Sequence, residues 1–124
     1  MAIQATGILL DGCVLSILSH EDAYGYSLTQ RLKTALGVSE STLYPVMRRL
    51  QTDDYLTVYD VHHNGRNRRY YQITKAGREK YKECAHAWLD FVQRVDKVMA
   101  AGMADVITQW QDAANLNQKG DQHD

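Results

Sequence analysis

A heptad pattern of apolar residues in the last third of the chain constrains the fold more than any other feature. Apolar or small side chains recur there at steps of four and three, as Tyr81, Ala85, Trp88, Val92, Val95, Met99, Gly102, Val106 and, after a last step of four, Trp110. This spacing predicts one helix from Lys75, capped by Thr74, to about Asn115, roughly 60 Å long at about 1.5 Å per residue. A preceding body of about 75 residues cannot cover such a helix, so its apolar face predicts a partner.

The simplest partner is a second copy of the chain. An isologous dimer would bury the two apolar faces against each other. We therefore predict three segments: a globular domain over residues 1–74, a dimerisation helix over 75–116 and a polar, disordered tail over 117–124. Near the N-terminus, Thr6 to Ser19 is apolar on more than one side, which predicts a helix that is buried or lies in an interface.

The stretch SESTLYPVMRR, Ser39 to Arg49, has the pattern of a recognition helix. Gly37 ends the short helix before it, and Ser39 offers a cap to the new one. Its inward positions are Leu43, Val46, Met47 and Leu50, and its other side carries Ser41, Tyr44, Arg48 and Arg49, which can bond to phosphates or base edges. Because Pro45 suits only a first turn, regular helix is expected from about Thr42. The alternative is an ordinary amphipathic surface helix.

The next segment predicts a β-hairpin. Tyr55 to Val61 and Arg69 to Thr74 are rich in aromatic and β-branched residues, and Asn64-Gly65 between them is a strong turn signal. A hairpin directly after a recognition helix is the wing of a winged helix-turn-helix, whose basic residues would clamp phosphates or enter a minor groove; here they are Arg66, Arg68 and Arg69. The alternative is a charged hairpin that protects a sheet edge. The predicted fold class is mainly α, an α+β winged helix-turn-helix with a two-stranded wing and a long C-terminal helix.

The charge distribution favours DNA, although the net charge is only −1. Val61 to Lys82 holds seven basic residues against one glutamate, which gives +6 for this segment and −7 for the remainder. A local basic patch is enough for a phosphate footprint, and the acidic remainder would suppress indiscriminate binding.

Several function classes find no support in the sequence. No apolar run approaches the roughly 20 residues of a membrane span, and no basic segment precedes an apolar one at the N-terminus, so we expect no membrane association and a cytoplasmic protein. The two cysteines, Cys13 and Cys84, stand alone, without metal-ligand spacing. No catalytic triad, phosphate loop or carboxylate pair is evident. We therefore expect no metal, no cofactor and no enzymatic activity.

From about Ile8 to Met99 the sequence resembles the PadR family of bacterial transcriptional regulators. The resemblance rests on Tyr24-Gly25-Tyr26, on TLYPVMRRL from Thr42 to Leu50, and on GRNRRYYQITKAGR from Gly65 to Arg78. The single long C-terminal helix is similar to the short subfamily, which includes small multidrug-responsive repressors. Two positions depart from the family pattern: Asp54 stands where Gly is usual, and Asn67 where Pro is frequent.

The resemblance implies a homodimeric repressor that dimerises through its last helix, assisted by the first, and binds a roughly palindromic operator in double-stranded DNA. A small molecule or stress signal would release the DNA. Recognition-helix contacts would come from Ser41, Thr42, Tyr44, Pro45, Arg48 and Arg49. Tyr24 would approach the DNA backbone, and Arg66 and Arg68 would serve the wing. With Arg69 and the capping Ser39, these residues form the candidate DNA-binding set.

The resemblance also suggests a ligand, because planar molecules insert between the last helices of multidrug-responsive members and stack on a tryptophan. Here Trp88 is the candidate platform, with Val92, Val95 and Asp96 beside it, and such a site suits a flat aromatic compound. The alternative is that Trp88 only fills the dimer seam, and Trp110 is a possible second anchor. The alternative function is a dimeric module that binds a ligand or a protein on a winged-helix scaffold, without DNA.

Overall fold

The computed structural model describes residues 2–122, with side chains from 9 to 117. The elements in chain order are α1 (Ala2–His20), β1 (Ala23–Tyr24), α2 (Gly25–Leu36), α3 (Glu40–Thr52), β2 (Leu56–His63), β3 (Arg66–Ile73) and α4 (Lys75–Gln122). A first compact unit ends at Leu89 and a second begins at Asp90, so the first fifteen residues of α4 belong to the first unit. The predicted fold class is confirmed.

The core of the first unit lies among α1, α2, α3 and the sheet. The predicted inward face of α3 is buried there, with Leu43 and Leu50 at 0% exposure and Met47 at 2%. Against this face pack Val14, Leu15 and Leu18 of α1, Leu28 and Leu32 of α2, and Leu56 and Ile73 of the hairpin. Apolar spacing in the sequence therefore identified the buried side of α3.

The predicted hairpin forms, but its strands extend nearer to the turn than predicted, to His63 and from Arg66, so that only two residues separate them. β2 and β3 are antiparallel, paired from Leu56↔Ile73 to His63↔Arg66. Asn64 and Gly65 lie between the strands with φ of 51° and 78°, as a type I′ turn requires. A third strand, β1, was not predicted, because two residues carry no periodic pattern. It pairs Tyr24 with Tyr70 and so makes β3 the centre of a three-stranded sheet.

Two predicted helix ends are wrong. α3 begins at Glu40 rather than Thr42, because Ser39 caps it by accepting a hydrogen bond from the Thr42 amide at 3.2 Å. Pro45 then lies inside the helix. α4 continues to Gln122, six residues past the predicted end at 116, since no proline interrupts this stretch. Of the predicted disordered tail, residues 123 and 124 lie outside the described part of the chain.

Thr74 joins the start of α4 to the chain that leaves α3. As predicted, it caps α4: its Oγ1 accepts a hydrogen bond from the Gly77 amide at 2.9 Å. The same hydroxyl donates to the Asp54 carbonyl at 2.7 Å, and the Thr74 amide donates to the Tyr55 carbonyl at 3.1 Å. Thr74 therefore fixes the hairpin and α4 to the chain that leaves α3.

Asp54 has a backbone conformation that favours glycine. Its φ of 63° lies in the left-handed region, which costs a residue with a side chain about 1 kcal/mol relative to glycine. Asp54→Gly should therefore raise the free energy of unfolding by about 0.5–1 kcal/mol, after the entropy that glycine adds to the unfolded chain. Urea denaturation followed by circular dichroism measures this. A loss of stability would show that the Asp54 side chain stabilises the turn.

Candidate nucleic-acid interface

The exposed face of α3 carries most of the residues predicted to read DNA. Tyr44 is 49% exposed, and Ser41 and Arg48 are exposed beside it. At the start of the helix the Ser39 hydroxyl lies 2.9 Å from that of Ser41 and 3.0 Å from that of Thr42. Ser39 and Thr42 therefore hold the cap together, and the side chains open to a ligand lie along the following turns.

The three arginines of the wing have three different surroundings, because alternate residues of a strand point to opposite faces. Arg66 is exposed beside the turn. Arg68 is half-buried, with its guanidinium carbon 5.1 Å from the centre of the Tyr24 ring. Arg69 is on the other face, with its Nε 3.9 Å from a carboxylate oxygen of Asp60 on the paired strand. The three arginines were predicted to act together, but in the structure each has different surroundings.

Tyrosine rings connect the wing to the start of α2. The Tyr24 ring lies 5.9 Å from the Tyr70 ring, which stacks on Tyr59 at 5.6 Å. The Tyr59 hydroxyl donates to Asp22 at 2.7 Å, and this hydrogen bond raises the pKa of Tyr59. Sequence reasoning missed Asp22, Tyr59 and Tyr70. The hairpin register would have placed Tyr59 opposite Tyr70, but nothing local indicated Asp22.

A cleft between α2, α3 and the wing brings together predicted residues from β1, α3 and the wing. Its lining includes Tyr24, Tyr44 and Arg69, together with Tyr26 and Asn67. Gly25 lies at its base, where a Cβ atom would be only 2.9 Å from Cε2 of Tyr71. Hydroxyl, amide and guanidinium groups therefore converge on one concave surface, and all of them can donate to phosphate oxygens.

Arg49 has a partner inside the protein. Its two terminal nitrogens donate to the two carboxylate oxygens of Asp11 on α1, at 3.0 and 2.7 Å. These hydrogen bonds raise the pKa of Arg49 above its already high value. Asp11 itself is only 6% exposed. Arg48 and Arg49 are neighbours in the sequence, but only Arg49 is held against α1.

The residues predicted to bind a small ligand are divided between the two units. Trp88, in the first unit, lines an apolar cleft between α1 and α4 with Gly12, Cys13 and Cys84. The other three, Val92, Val95 and Asp96, belong to the second unit.

The chemistry of the two cysteines is restrained by their burial. Burial raises the pKa of both the Cys13 and the Cys84 thiol, so that both stay protonated at neutral pH. Within the described residues, no three His, Cys, Asp or Glu side chains are grouped so that they could hold a metal ion. In the same part of the chain, no helix has the length and apolar character needed to cross a membrane.

Known proteins are similar to this chain in both sequence and fold. Residues 14–83, more than half of its length, match the model of the transcriptional regulator PadR-like family. A transcriptional regulator of Mycobacterium tuberculosis is 36% identical over 85 residues, which cover 65% of this chain and 79% of that protein.

Solved structures give the same result. A PadR-like transcriptional regulator of Bacillus cereus is 32% identical with a TM-score of 0.66, covering 73% of this chain and 91% of that one. A PadR-like transcription factor of Bacteroides fragilis is 33% identical with a TM-score of 0.64, covering 78% of this chain and 96% of that one.

Proposed function

Since this chain belongs to the PadR-like family of transcriptional regulators, we propose that it is a repressor that binds a roughly palindromic operator as a homodimer. The family consists of DNA-binding regulators and not of enzymes, which agrees with the expectation drawn from the sequence. Beyond membership of the family, we propose three things: a palindromic operator, a homodimer, and repression rather than activation.

The cleft between α2, α3 and the wing is the observation that carries the proposal. Tyr44, on the exposed face of α3 that also carries Arg48, lines it on one side, and Arg69 of β3 lines it on the other. A helix of this kind fits the major groove, and an adjacent basic hairpin fits the neighbouring minor groove or the phosphates between them. Direct contacts would come from Tyr44, Arg48, Arg66 and Arg69, with Ser41 and Pro45 beside them.

The exposed apolar residues of the second unit support a dimer. Val98 is 85% exposed, Val106 55% and Trp110 72%. A helix without tertiary contacts is marginal in water, so these side chains need a covering surface. A second copy of the chain supplies one with the same heptad spacing, and it also supplies the second reading head that a palindromic operator requires.

The apolar cleft beside Trp88 supports a regulatory ligand. Trp88 is 40% exposed, and the cleft presents mainly carbon and sulfur atoms. A planar aromatic compound would gain by stacking on the indole and by leaving water. Its binding would release the operator by favouring a different arrangement of the two protomers.

A promoter-shift experiment tests the proposal. The purified protein is mixed with duplex DNA from upstream of its own gene, and the fraction shifted is measured between 50 and 200 mM salt, a range in which phosphate-dependent binding falls by orders of magnitude. A panel of planar aromatic compounds is then added to the complex. A dimer that shifts no fragment of this DNA would contradict the repressor and favour an interaction module without DNA.

Tyr24 is expected to act through its ring rather than its hydroxyl. Its ring lies under the Arg68 guanidinium, and a cation–π contact at a partly exposed site contributes about 0.5–1 kcal/mol. Tyr24→Leu should weaken operator binding about tenfold, because a dimer makes this interaction twice. Tyr24→Phe should bind like the parent protein. If the phenylalanine variant is as weak as the leucine variant, the hydroxyl contacts the DNA directly.

A further inference from the structure

The ion pair between Asp11 and Arg49 joins α1 to α3. The Asp11 side chain is 9% exposed and that of Arg49 49%, and the guanidinium meets the carboxylate with two parallel hydrogen bonds. Burying a carboxylate is unfavourable unless it is paired, and the planar fork of arginine matches it in geometry and charge. The pair therefore fixes the separation and the rotation of two helices that are 38 residues apart in sequence.

We propose that Arg49 is a positioning residue, which sets the orientation of α3 through Asp11 and does not itself contact the operator. This inference rests on the proposed DNA-binding function and assigns the two adjacent arginines different roles. Arg48 is exposed on α3, whereas the half-exposed Arg49 directs both of its terminal nitrogens to the Asp11 carboxylate on α1. Turning these two nitrogens towards DNA would break the bond to a buried carboxylate, which is strongly unfavourable.

The position of Asp11 gives this bridge a wider role. Its neighbour Gly12 faces α4, where a Cβ atom on Gly12 would lie 3.3 Å from Cβ of Cys84. One turn of α1 therefore contacts the beginning of α4 through Gly12 and holds α3 through Asp11. The bridge therefore connects α3, through α1, to the beginning of α4.

The substitution Asp11→Asn separates the two roles, because they predict opposite signs. If Arg49 positions α3, the variant binds the operator about tenfold more weakly, since the charge-assisted pair is removed from both protomers. If Arg49 is a DNA contact held back by Asp11, freeing it strengthens binding and steepens the salt dependence. Asp105→Asn, which removes the same charge from an exposed position of the second unit, is the matched control.

A double variant distinguishes the loss of a DNA contact from the loss of a folded structure. Asp11→Leu with Arg49→Met replaces the pair by apolar side chains, a change that buried ion pairs often tolerate without loss of stability. The positioning role predicts operator affinity within about threefold of the parent and an unchanged slope of log affinity against log salt. Arg48→Met should instead reduce that slope by about 0.9 for each phosphate that is no longer neutralised. If the double variant reduces the slope as Arg48→Met does, the proposal is overturned.

Failure of the proposed repressor function can be distinguished from failure of the proposed positioning role of Arg49. If the parent protein binds no fragment of its upstream DNA, the repressor function is wrong, and the bridge is then tested by thermal unfolding alone. Asp11→Leu and Arg49→Met should each lower the melting temperature, and the double variant that combines them should recover it. Strictly additive changes in melting temperature would show that the two side chains are not coupled, and the bridge would be abandoned.

Discussion

Replacing Gly77 by alanine is expected to destabilise the protein by about 3 kcal/mol, at the upper end for an overpacked site. A Cβ atom at Gly77 would overlap the backbone carbonyl of Tyr55 and would lie 2.8 Å from Cγ1 of Ile73. The Tyr55 carbonyl cannot move freely, because it accepts the Thr74 amide that fixes the start of α4. Chemical denaturation followed by circular dichroism gives the change in the free energy of unfolding.

Gly102→Ala is the matched control for this prediction. It lies in the same helix, but its Cβ would have no atom within 4 Å in the described structure. Alanine stabilises a helix interior by up to about 1 kcal/mol relative to glycine, and the proposed dimer seam already accepts alanine at position 85, so this variant should be neutral or more stable. If the two variants were equally stable, the close approach of α4 to the Tyr55 carbonyl would not be a feature of the folded protein.

What could be predicted from the sequence is local. The turn at Asn64-Gly65 follows from two residues that tolerate positive φ, and the cap at Ser39 follows from a side chain that reaches an amide three residues on. The buried face of α3 follows from the spacing of its apolar residues. Each of these depends on interactions within a few positions, so the residue order contains the necessary information.

What could not be predicted depends on residues that are distant in sequence. Asp11 and Arg49 are 38 positions apart, and Asp22 and Tyr59 are 37 apart. No periodic pattern connects such pairs, because their meeting depends on how the elements pack. This is why neither the bond between Arg49 and Asp11 nor the need for glycine at position 77 was foreseen.

These distant contacts distinguish the basic residues of the candidate surface from one another. From the sequence alone, all of them were predicted to be equivalent donors to phosphate. In the structure Arg68 rests on an aromatic ring and the half-exposed Arg49 is bonded to a buried carboxylate, while Arg48 and Arg66 are exposed. In the proposed positioning role Arg49 orients α3, and Arg48 and Arg66 are available for phosphates and bases. Substitutions of the two kinds should therefore differ in their salt dependence.

Arg48→Ala should weaken operator binding about 30-fold, and Tyr44→Ala by a similar factor. Each side chain is exposed on α3, and a single phosphate or base interaction contributes about 1 kcal/mol, which counts twice for a dimer on a palindrome. Fluorescence anisotropy with a labelled operator measures the affinity, and size-exclusion chromatography shows that the dimer is intact.

The salt dependence decides whether the side chain that was removed had bound a phosphate. For Arg48→Ala the slope of log affinity against log salt should fall by about 0.9 per protomer, whereas Tyr44→Ala should leave it unchanged, because a neutral side chain releases no counterion. Lys97→Ala removes the same charge as Arg48→Ala from an exposed position of the second unit and should change neither affinity nor slope. If Arg48→Ala and Tyr44→Ala both bind the operator as tightly as the parent, the exposed face of α3 is not the surface that reads DNA.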